Sequence, residues 1–100
     1  MLIIKRTAEF LIWLRKLRDD DARMRIMQRI DRLKLGNPGD IRSVGDGISE
    51  LRIHYGPGYR VYFTRRGEIV VLLLCGGDKS SQRADIAIAK KLARDWKDEA

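Results

Sequence analysis

Four side chains in the second half of the chain could bind and cleave a phosphodiester. They are two arginines, a lysine and the single histidine: Arg52, Arg60, Lys79 and His54. Cleavage of RNA by its own 2′-hydroxyl needs in-line positioning, a proton acceptor, and cations facing the charge that grows on the phosphate oxygens. Arginine and lysine supply the cations, and histidine, which exchanges its proton near neutral pH, is the natural candidate for the base.

The spacing of these residues predicts that most of them share one side of a β-sheet. Residues Ile48 to Tyr55 and Tyr59 to Thr64 alternate between apolar and polar, as half-buried strands do, and Gly56 to Gly58 form a turn between them. If the two strands pair through this turn, four polar side chains face the same way: Arg52, His54, Arg60 and Tyr62. Lys79 follows the next strand and could reach the same region. We therefore predict a water-accessible basic surface, on which Arg60→Ala changes stability by only about 0.5 kcal/mol.

Other interpretations of the same residues stay open. A lone histidine at a hairpin end is also typical of an ordinary surface residue, and Arg52 and Arg60 could simply solubilise an open sheet face. The glycine-rich segment Cys75 to Gln82 could hold a phosphate on backbone N–H groups, or could be a plain turn with Ser80 or Ser81 as helix cap. It lacks the spacing of a nucleotide-binding Walker A loop. No Cys and His spacing indicates a metal site, so we expect no cofactor.

The periodicity of apolar residues predicts one α+β domain spanning residues 1–100. Its elements are an N-terminal strand, a helical hairpin, a three-stranded antiparallel sheet and a C-terminal helix. In order, we predict a strand over 1–5, a helix from Thr7 that ends before Asp19, a second helix from Ala22 that ends before Gly36, a loop over 36–47, strands over 48–55, 59–64 and 69–75, and a final helix capped by Ser80 or Ser81. Because Ile69 to Cys75 is apolar throughout, we expect that strand to be covered on both faces and Cys75 to be buried and unreactive.

Composition favours an anionic partner. The 21 Lys and Arg residues exceed the 14 Asp and Glu residues, giving a net charge of +7, which suits RNA, DNA or an acidic protein. Only the tripeptide Leu2 to Ile4 is apolar at the N-terminus, which is too short for a secretory signal, and no run of 18 apolar residues predicts a membrane span. We therefore expect a cytoplasmic protein with no membrane partner.

Three segments carry a resemblance to a known protein family. The segments Glu50–Arg52, Gly56–Phe63 and Leu72–Gln82 read ELR, GPGYRVYF and LLLCGGDKSSQ. Together they resemble the addiction-module killer proteins related to phage Gp49 and HigB, which belong to the RelE/ParE superfamily. The resemblance extends over nearly the whole chain, because the predicted order of elements also matches the compact toxin fold.

The resemblance implies the toxin of a type II toxin-antitoxin system, an mRNA interferase that cuts mRNA on the ribosome and arrests translation. It implies a cognate antitoxin, often a helix-turn-helix protein, and contact with DNA only through the antitoxin complex. By position, Arg60 matches the superfamily's phosphate-binding arginine, Arg52 a basic position on the preceding strand, and Lys79 lies near another basic catalytic position. Where several ribosome-dependent relatives have Tyr or His near the C-terminal end, this chain has Asp85 and Ile86.

Two functions from different classes therefore remain. The first is a ribosome-dependent endoribonuclease that uses Arg52, Arg60 and Lys79 electrostatically, with His54 or a lysine as base. The second is a non-catalytic, ParE-like inhibitor of DNA gyrase, in which the same residues only cover a surface. A degenerate toxin with a sound fold and no activity is a third possibility.

Overall fold

The computed structural model describes residues 1–97, which form five strands and three α-helices. The strands are β1 (Ile3–Arg6), β2 (Ile41–Gly45), β3 (Ile48–Ile53), β4 (Tyr59–Arg66) and β5 (Val70–Asp78). The helices are α1 (Ala8–Lys16), α2 (Asp20–Lys34) and α3 (Gln82–Asp95), and a 3-10 turn over Lys79–Ser81 leads into α3. The α+β class that the sequence predicts is confirmed.

The sheet is larger than the three strands that the sequence predicts. Its order is β1-β5-β4-β3-β2, with β1 parallel to β5 and the other pairs antiparallel. The N-terminal strand thus joins the sheet, and β2 lies inside the segment predicted as a loop. Periodicity missed β2 because it is an edge strand: residues 41–43 are all exposed and show no alternation of burial.

The two sides of the sheet are covered by different helices. We call the side that packs against α1 and α2 the α1/α2 face and the opposite side the α3 face. The core of the α1/α2 face contains Phe10, Ile26, Ile30, Leu33, Leu51, Ile53, Val61, Phe63, Val71 and Leu73. The core of the α3 face contains Ile48, Tyr62, Leu72, Leu74, Cys75 and Ala89. Strand β5 is covered on both faces, as its apolar run predicts.

Capping groups and glycines fix where the helices begin and how closely they approach the sheet. Thr7 caps α1, as predicted, because its hydroxyl accepts a hydrogen bond from the Phe10 N–H at 3.0 Å. Gly76 and Gly77 let the helices lie close to β5, since a β-carbon at either position would overlap the Trp13 ring or the Asp85 carboxylate, respectively.

Ser81, one of the two predicted caps, occupies the N-cap position of α3. The side-chain cap belongs to the preceding 3-10 turn, where Asp78 accepts the N–H of Ser80 at 2.8 Å. Ser81 makes no capping bond to α3; its hydroxyl instead donates to Asp85 Oδ2 at 2.6 Å. The predicted position of the cap is therefore confirmed, whereas the expected capping hydrogen bond to the serine side chain is absent.

Cys75 is buried, as the sequence predicts. Burial, followed by the nearby Asp85 carboxylate, raises the pKa of the thiol to about 12, which keeps it protonated and unreactive. Within residues 1–97, no helix has the length and apolar character needed to cross a lipid bilayer.

Candidate functional site

Arg52 and Arg60 lie side by side because of the strand register. Arg52 on β3 is the cross-strand partner of Arg60 on β4, and Arg60 is in turn the partner of Gly77 on β5. Residues directly opposite each other in a sheet project from the same face. The register therefore places both guanidinium groups on the α3 face, at the end of the sheet where β3 stops and β4 begins.

Lys79 lies at the same end of the sheet, beside Gly58. A β-carbon built at Gly58 would lie 3.6 Å from Cβ of Lys79 and 3.7 Å from Nη1 of Arg60. That Nη1 group also donates to the Gly58 carbonyl at 3.2 Å. The Lys79 stem and the Arg60 guanidinium therefore flank one stretch of backbone, and Lys79 itself is exposed.

Asp40 connects Arg52 to His54. Its Oδ1 atom accepts from Nη2 of Arg52 at 3.0 Å and from Nε at 3.3 Å, while its Oδ2 atom contacts Nε2 of His54. The hydrogen bond from Arg52, followed by that from His54, lowers the pKa of the Asp40 carboxyl. With an acceptor at Nε2, the imidazole favours the tautomer that carries its proton there, which leaves the Nδ1 lone pair to act as a base.

Arg60 is not the solvent-facing residue that the strand pattern predicts. Only 12% of its side chain is exposed, and its Nε lies 3.2 Å from Oε1 of Glu50, whose side chain is completely buried. The two atoms are not aligned as a hydrogen bond, so the contact is an ion pair. The predicted solvent-facing position of Arg60 is therefore wrong, and because Arg60→Ala removes the partner of a buried carboxylate, we expect it to lower stability by more than about 0.5 kcal/mol.

Helix α3 is the reason that this part of the face is closed. Gln82, its first residue, donates from Nε2 to Oε2 of Glu50 at 2.8 Å. Tyr62, which we expected beside the arginines on an open surface, is fully buried beneath the same helix. Burial, followed by the nearby Glu50 carboxylate, raises the pKa of its phenol, so Tyr62 serves as core rather than as a proton donor.

We call the four predicted site residues and the side chains that contact them the cluster: Arg52, Arg60, Lys79, His54, Asp40, Glu50 and Gln82. The sequence analysis did not assign a site role to three of them: Asp40, Glu50 and Gln82. Asp40 lies in the segment predicted as a loop, where Asp is expected as a turn former. Glu50 alternates with apolar neighbours and therefore resembles a solvent-facing residue. The signal that could have revealed it is the apolar stripe of α3, which must cover the second face of the sheet and thus bury some of its polar residues.

The carboxylates neutralise part of the positive charge of the cluster but leave some of its N–H donors for another anion. A guanidinium has five N–H donors, so a carboxylate on one edge leaves others for a second anion. Asp40 occupies one edge of Arg52 and Glu50 one edge of Arg60, whereas Lys79 is exposed and adds a further charge. The remaining N–H groups of the two arginines and the Lys79 ammonium are the donors that an anion would meet at this end of the sheet.

A basic cleft, which we call the α2 cleft, lies beside the cluster on the side of α2. Its volume is about 530 Å³, and it is lined by Arg25, Gln28, Arg29, Asp31, Arg32, Ile53 and His54. Arg29 is structural, because its guanidinium donates to the carbonyls of Arg52 at 2.5 Å and Pro38 at 3.0 Å. Burial, followed by the charge of Arg32, lowers the pKa of Arg29. Arg32 is exposed, so the cleft presents positive charge next to His54.

Comparison with known proteins places the chain in a family. The model of the family described as phage-derived protein Gp49-like (DUF891) matches residues 12–94, which include every residue of the cluster. The chain belongs to the Gp49-like family.

The Gp49-like protein also has a close relative. It is 54% identical over 92 residues to an uncharacterized protein of Haemophilus influenzae, and the match covers 92% of this chain and 93% of the relative. No solved structure gave a significant match. The Gp49-like part of the resemblance seen in the sequence is therefore confirmed, whereas the placement in the RelE/ParE superfamily and the likeness to HigB stay predictions.

Proposed function

We propose that this Gp49-like protein is the toxin of a type II toxin-antitoxin system, a RelE/ParE superfamily endoribonuclease that cleaves mRNA on the ribosome. The observation that carries the proposal is that His54, Arg52, Arg60 and Lys79 lie near one another. Asp40 links His54 to Arg52, Arg52 lies opposite Arg60 across β3 and β4, and Arg60 and Lys79 both lie beside Gly58, so a candidate base and three cations share one end of the sheet. This is the arrangement that cleavage by the 2′-hydroxyl requires.

Each residue has a role in the proposed reaction. Arg60 and Lys79 bind the non-bridging oxygens of the scissile phosphate, and Arg52 offsets the charge that develops there. Nδ1 of His54 removes the proton from the 2′-hydroxyl, and the 2′-oxygen attacks phosphorus. The bond to the 5′-oxygen breaks, that oxygen takes a proton from water, and the hydroxide left behind takes back the proton held by His54. The products are a 2′,3′-cyclic phosphate and a 5′-hydroxyl.

Dependence on the ribosome follows from the partners that the cations already have. Two of the three cations share charge with carboxylates, which weakens their attraction for a free RNA, whereas cleavage needs the reacting groups aligned in line. A ribosome presents one codon in a fixed conformation and supplies that alignment. The α2 cleft then offers Arg25 and Arg32 to neighbouring phosphates of the same RNA.

A cognate antitoxin would silence such a toxin in the cytoplasm. The net charge of +7 suits an acidic or amphipathic antitoxin segment covering the basic surface, and contact with DNA would come through a helix-turn-helix antitoxin. Co-purification of this chain with the product of the neighbouring gene tests the partner. A complex that blocks toxicity supports it, and toxicity unaffected by that gene contradicts it.

The activity is tested by inducing the protein in cells and mapping the 5′ ends of mRNA. We expect cuts in phase with codons, lost in Arg60→Lys, which keeps a charge beside Glu50 but lacks the guanidinium fork. The matched control is Arg65→Lys, an exposed position on the same strand, where cuts should persist. An SOS response without cuts would instead support the ParE-like inhibitor of gyrase, and no growth arrest at all would support a degenerate toxin.

A further inference from the structure

Glu50 is a charged side chain placed where charge is costly. It is 0% exposed on the α3 face, between Ile48 and Arg52 along β3 and opposite Tyr62 on β4. Its two oxygens face two different elements: Oε1 lies 3.2 Å from Nε of Arg60 on β4, and Oε2 accepts from Gln82 of α3 at 2.8 Å. One buried carboxylate thus joins the site arginine to the start of a helix.

Stability does not explain this arrangement. Removing a carboxylate and a guanidinium from water costs several kcal/mol for each ion, and apolar residues of the same volume often give an equal or more stable fold. The neighbours Ile48, Tyr62 and Leu72 show that the α3 face readily accepts apolar groups. A buried carboxylate in direct contact with the central cation of the candidate site therefore indicates a role in that site.

The contacts of Arg60 show what this role is. Glu50 holds the Nε edge of the guanidinium, and the Gly58 carbonyl holds Nη1. Two fixed contacts on a planar group determine its orientation, so the remaining N–H groups are aimed before any ligand arrives. Donors that are aimed in advance stabilise developing charge without reorganisation during the reaction. Gln82 fixes Glu50 in turn, which makes the start of α3 part of the support.

We propose that Glu50 is the positioning residue of the phosphate site, which orients Arg60 toward a phosphate oxygen and is itself held by Gln82. Its contribution to cleavage rests on the proposed function, whereas its contribution to phosphate binding does not. The proposal identifies a residue that acts through Arg60 and touches no substrate.

The test is Glu50→Gln, which removes the charge and keeps the shape. The side-chain Nε–H signal of Arg60 is followed by NMR while inorganic phosphate is added, and kcat and KM are measured on programmed ribosomes. We expect phosphate affinity to fall at least fivefold and kcat at least tenfold, with KM within twofold because the ribosome dominates binding. The matched control is Asp46→Asn, which removes the charge of an exposed carboxylate that pairs with Lys90 from the turn between β2 and β3, and it should change neither quantity.

Every outcome decides the proposal. The proposal is overturned if the wild-type protein binds no phosphate, or if phosphate affinity in Glu50→Gln is unchanged or rises because a competing carboxylate has gone. If Glu50→Gln does not fold, Gln82→Ala decides: it keeps the charge but frees one oxygen, and we expect at least a threefold loss of phosphate affinity, with no loss overturning the proposal. If the wild-type protein binds phosphate as described but does not cleave RNA, the proposed function fails while the positioning role stands.

Discussion

Arg52 and Arg60 face each other directly across β3 and β4, and each is held by a different carboxylate, Asp40 for the first and Glu50 for the second. Like charges in opposite positions of a sheet repel each other and destabilise the pair. The two ion pairs offset that repulsion, one at the edge of the molecule and one beneath α3. The site therefore joins two arginines whose environments differ, and substitutions at each should have different effects.

Arg60→Ala should destabilise the fold strongly. The change leaves Glu50 buried without its cation, and breaking a buried pair in this way costs about 3 kcal/mol. Urea denaturation should show this loss, whereas Arg65→Ala, at an exposed position of the same strand, should stay within about 0.5 kcal/mol of the wild type. Equal midpoints for the two variants would contradict the ion pair. Loss of toxicity in Arg60→Ala thus cannot by itself identify a catalytic role, and Arg60→Lys is the better probe.

Asp40 should make stability depend on pH in acid. Arg52 and His54 lower the pKa of this carboxyl in the folded state, so the unfolded chain binds the proton more readily. The stabilising contribution is therefore fully present above the unfolded value of about 3.9 and is lost as the pH falls through the lower, folded value. Asp40→Asn should flatten the fall in unfolding free energy below about pH 4, measured by urea titration at successive pH values. If the plots of unfolding free energy against pH are parallel for the wild type and Asp40→Asn, the contacts of Asp40 with Arg52 and His54 contribute nothing to stability.

Gly77→Ala should disturb the start of α3 and the site together. A β-carbon at this position would overlap the Asp85 carboxylate and approach the Ser81 hydroxyl to 2.9 Å. We expect a loss of about 2 kcal/mol from overpacking and a weaker contact between Gln82 and Glu50. The control is Gly67→Ala, in a turn with φ of 71° and open space around it, which should lose only about 1 kcal/mol. A larger loss of unfolding free energy for Gly67→Ala than for Gly77→Ala would show that α3 can move to accommodate the added β-carbon.

Much of the site was accessible from sequence because it depends on strand alternation. The patterns of β3 and β4 place Arg52 and Arg60 on one face, and the register agrees. Alternation reports which face a residue occupies but not what covers that face, and so it could not show that α3 buries Glu50 and most of Arg60. Strand β2 and its neighbour Asp40 were missed for another reason: an edge strand with an exposed outer side has no burial pattern to detect.

Arg32→Ala should weaken RNA binding without altering the chemistry. Arg32 is exposed in the α2 cleft, and a contact to phosphate contributes affinity that does not depend on sequence. We expect the slope of log affinity against log salt concentration to fall by about one unit, with kcat unchanged. The control is Lys91→Ala, at an exposed position on α3, which removes one positive charge as Arg32→Ala does. It should leave the slope of log affinity against log salt concentration unchanged. An equal effect of both variants would mean that only net charge matters.

The most direct test of the account uses purified ribosomes that carry an mRNA with a defined codon in the A site. We predict that the protein cuts within that codon, leaving a 2′,3′-cyclic phosphate and a 5′-hydroxyl, and that a 2′-deoxy substitution at the cut position abolishes cleavage. Arg60→Lys should cut at least a hundredfold more slowly than Arg65→Lys, in keeping with the factor of about 10² to 10³ for loss of one preorganised donor. An intact mRNA, together with inhibition of purified gyrase at the same protein concentration, would contradict the proposed function.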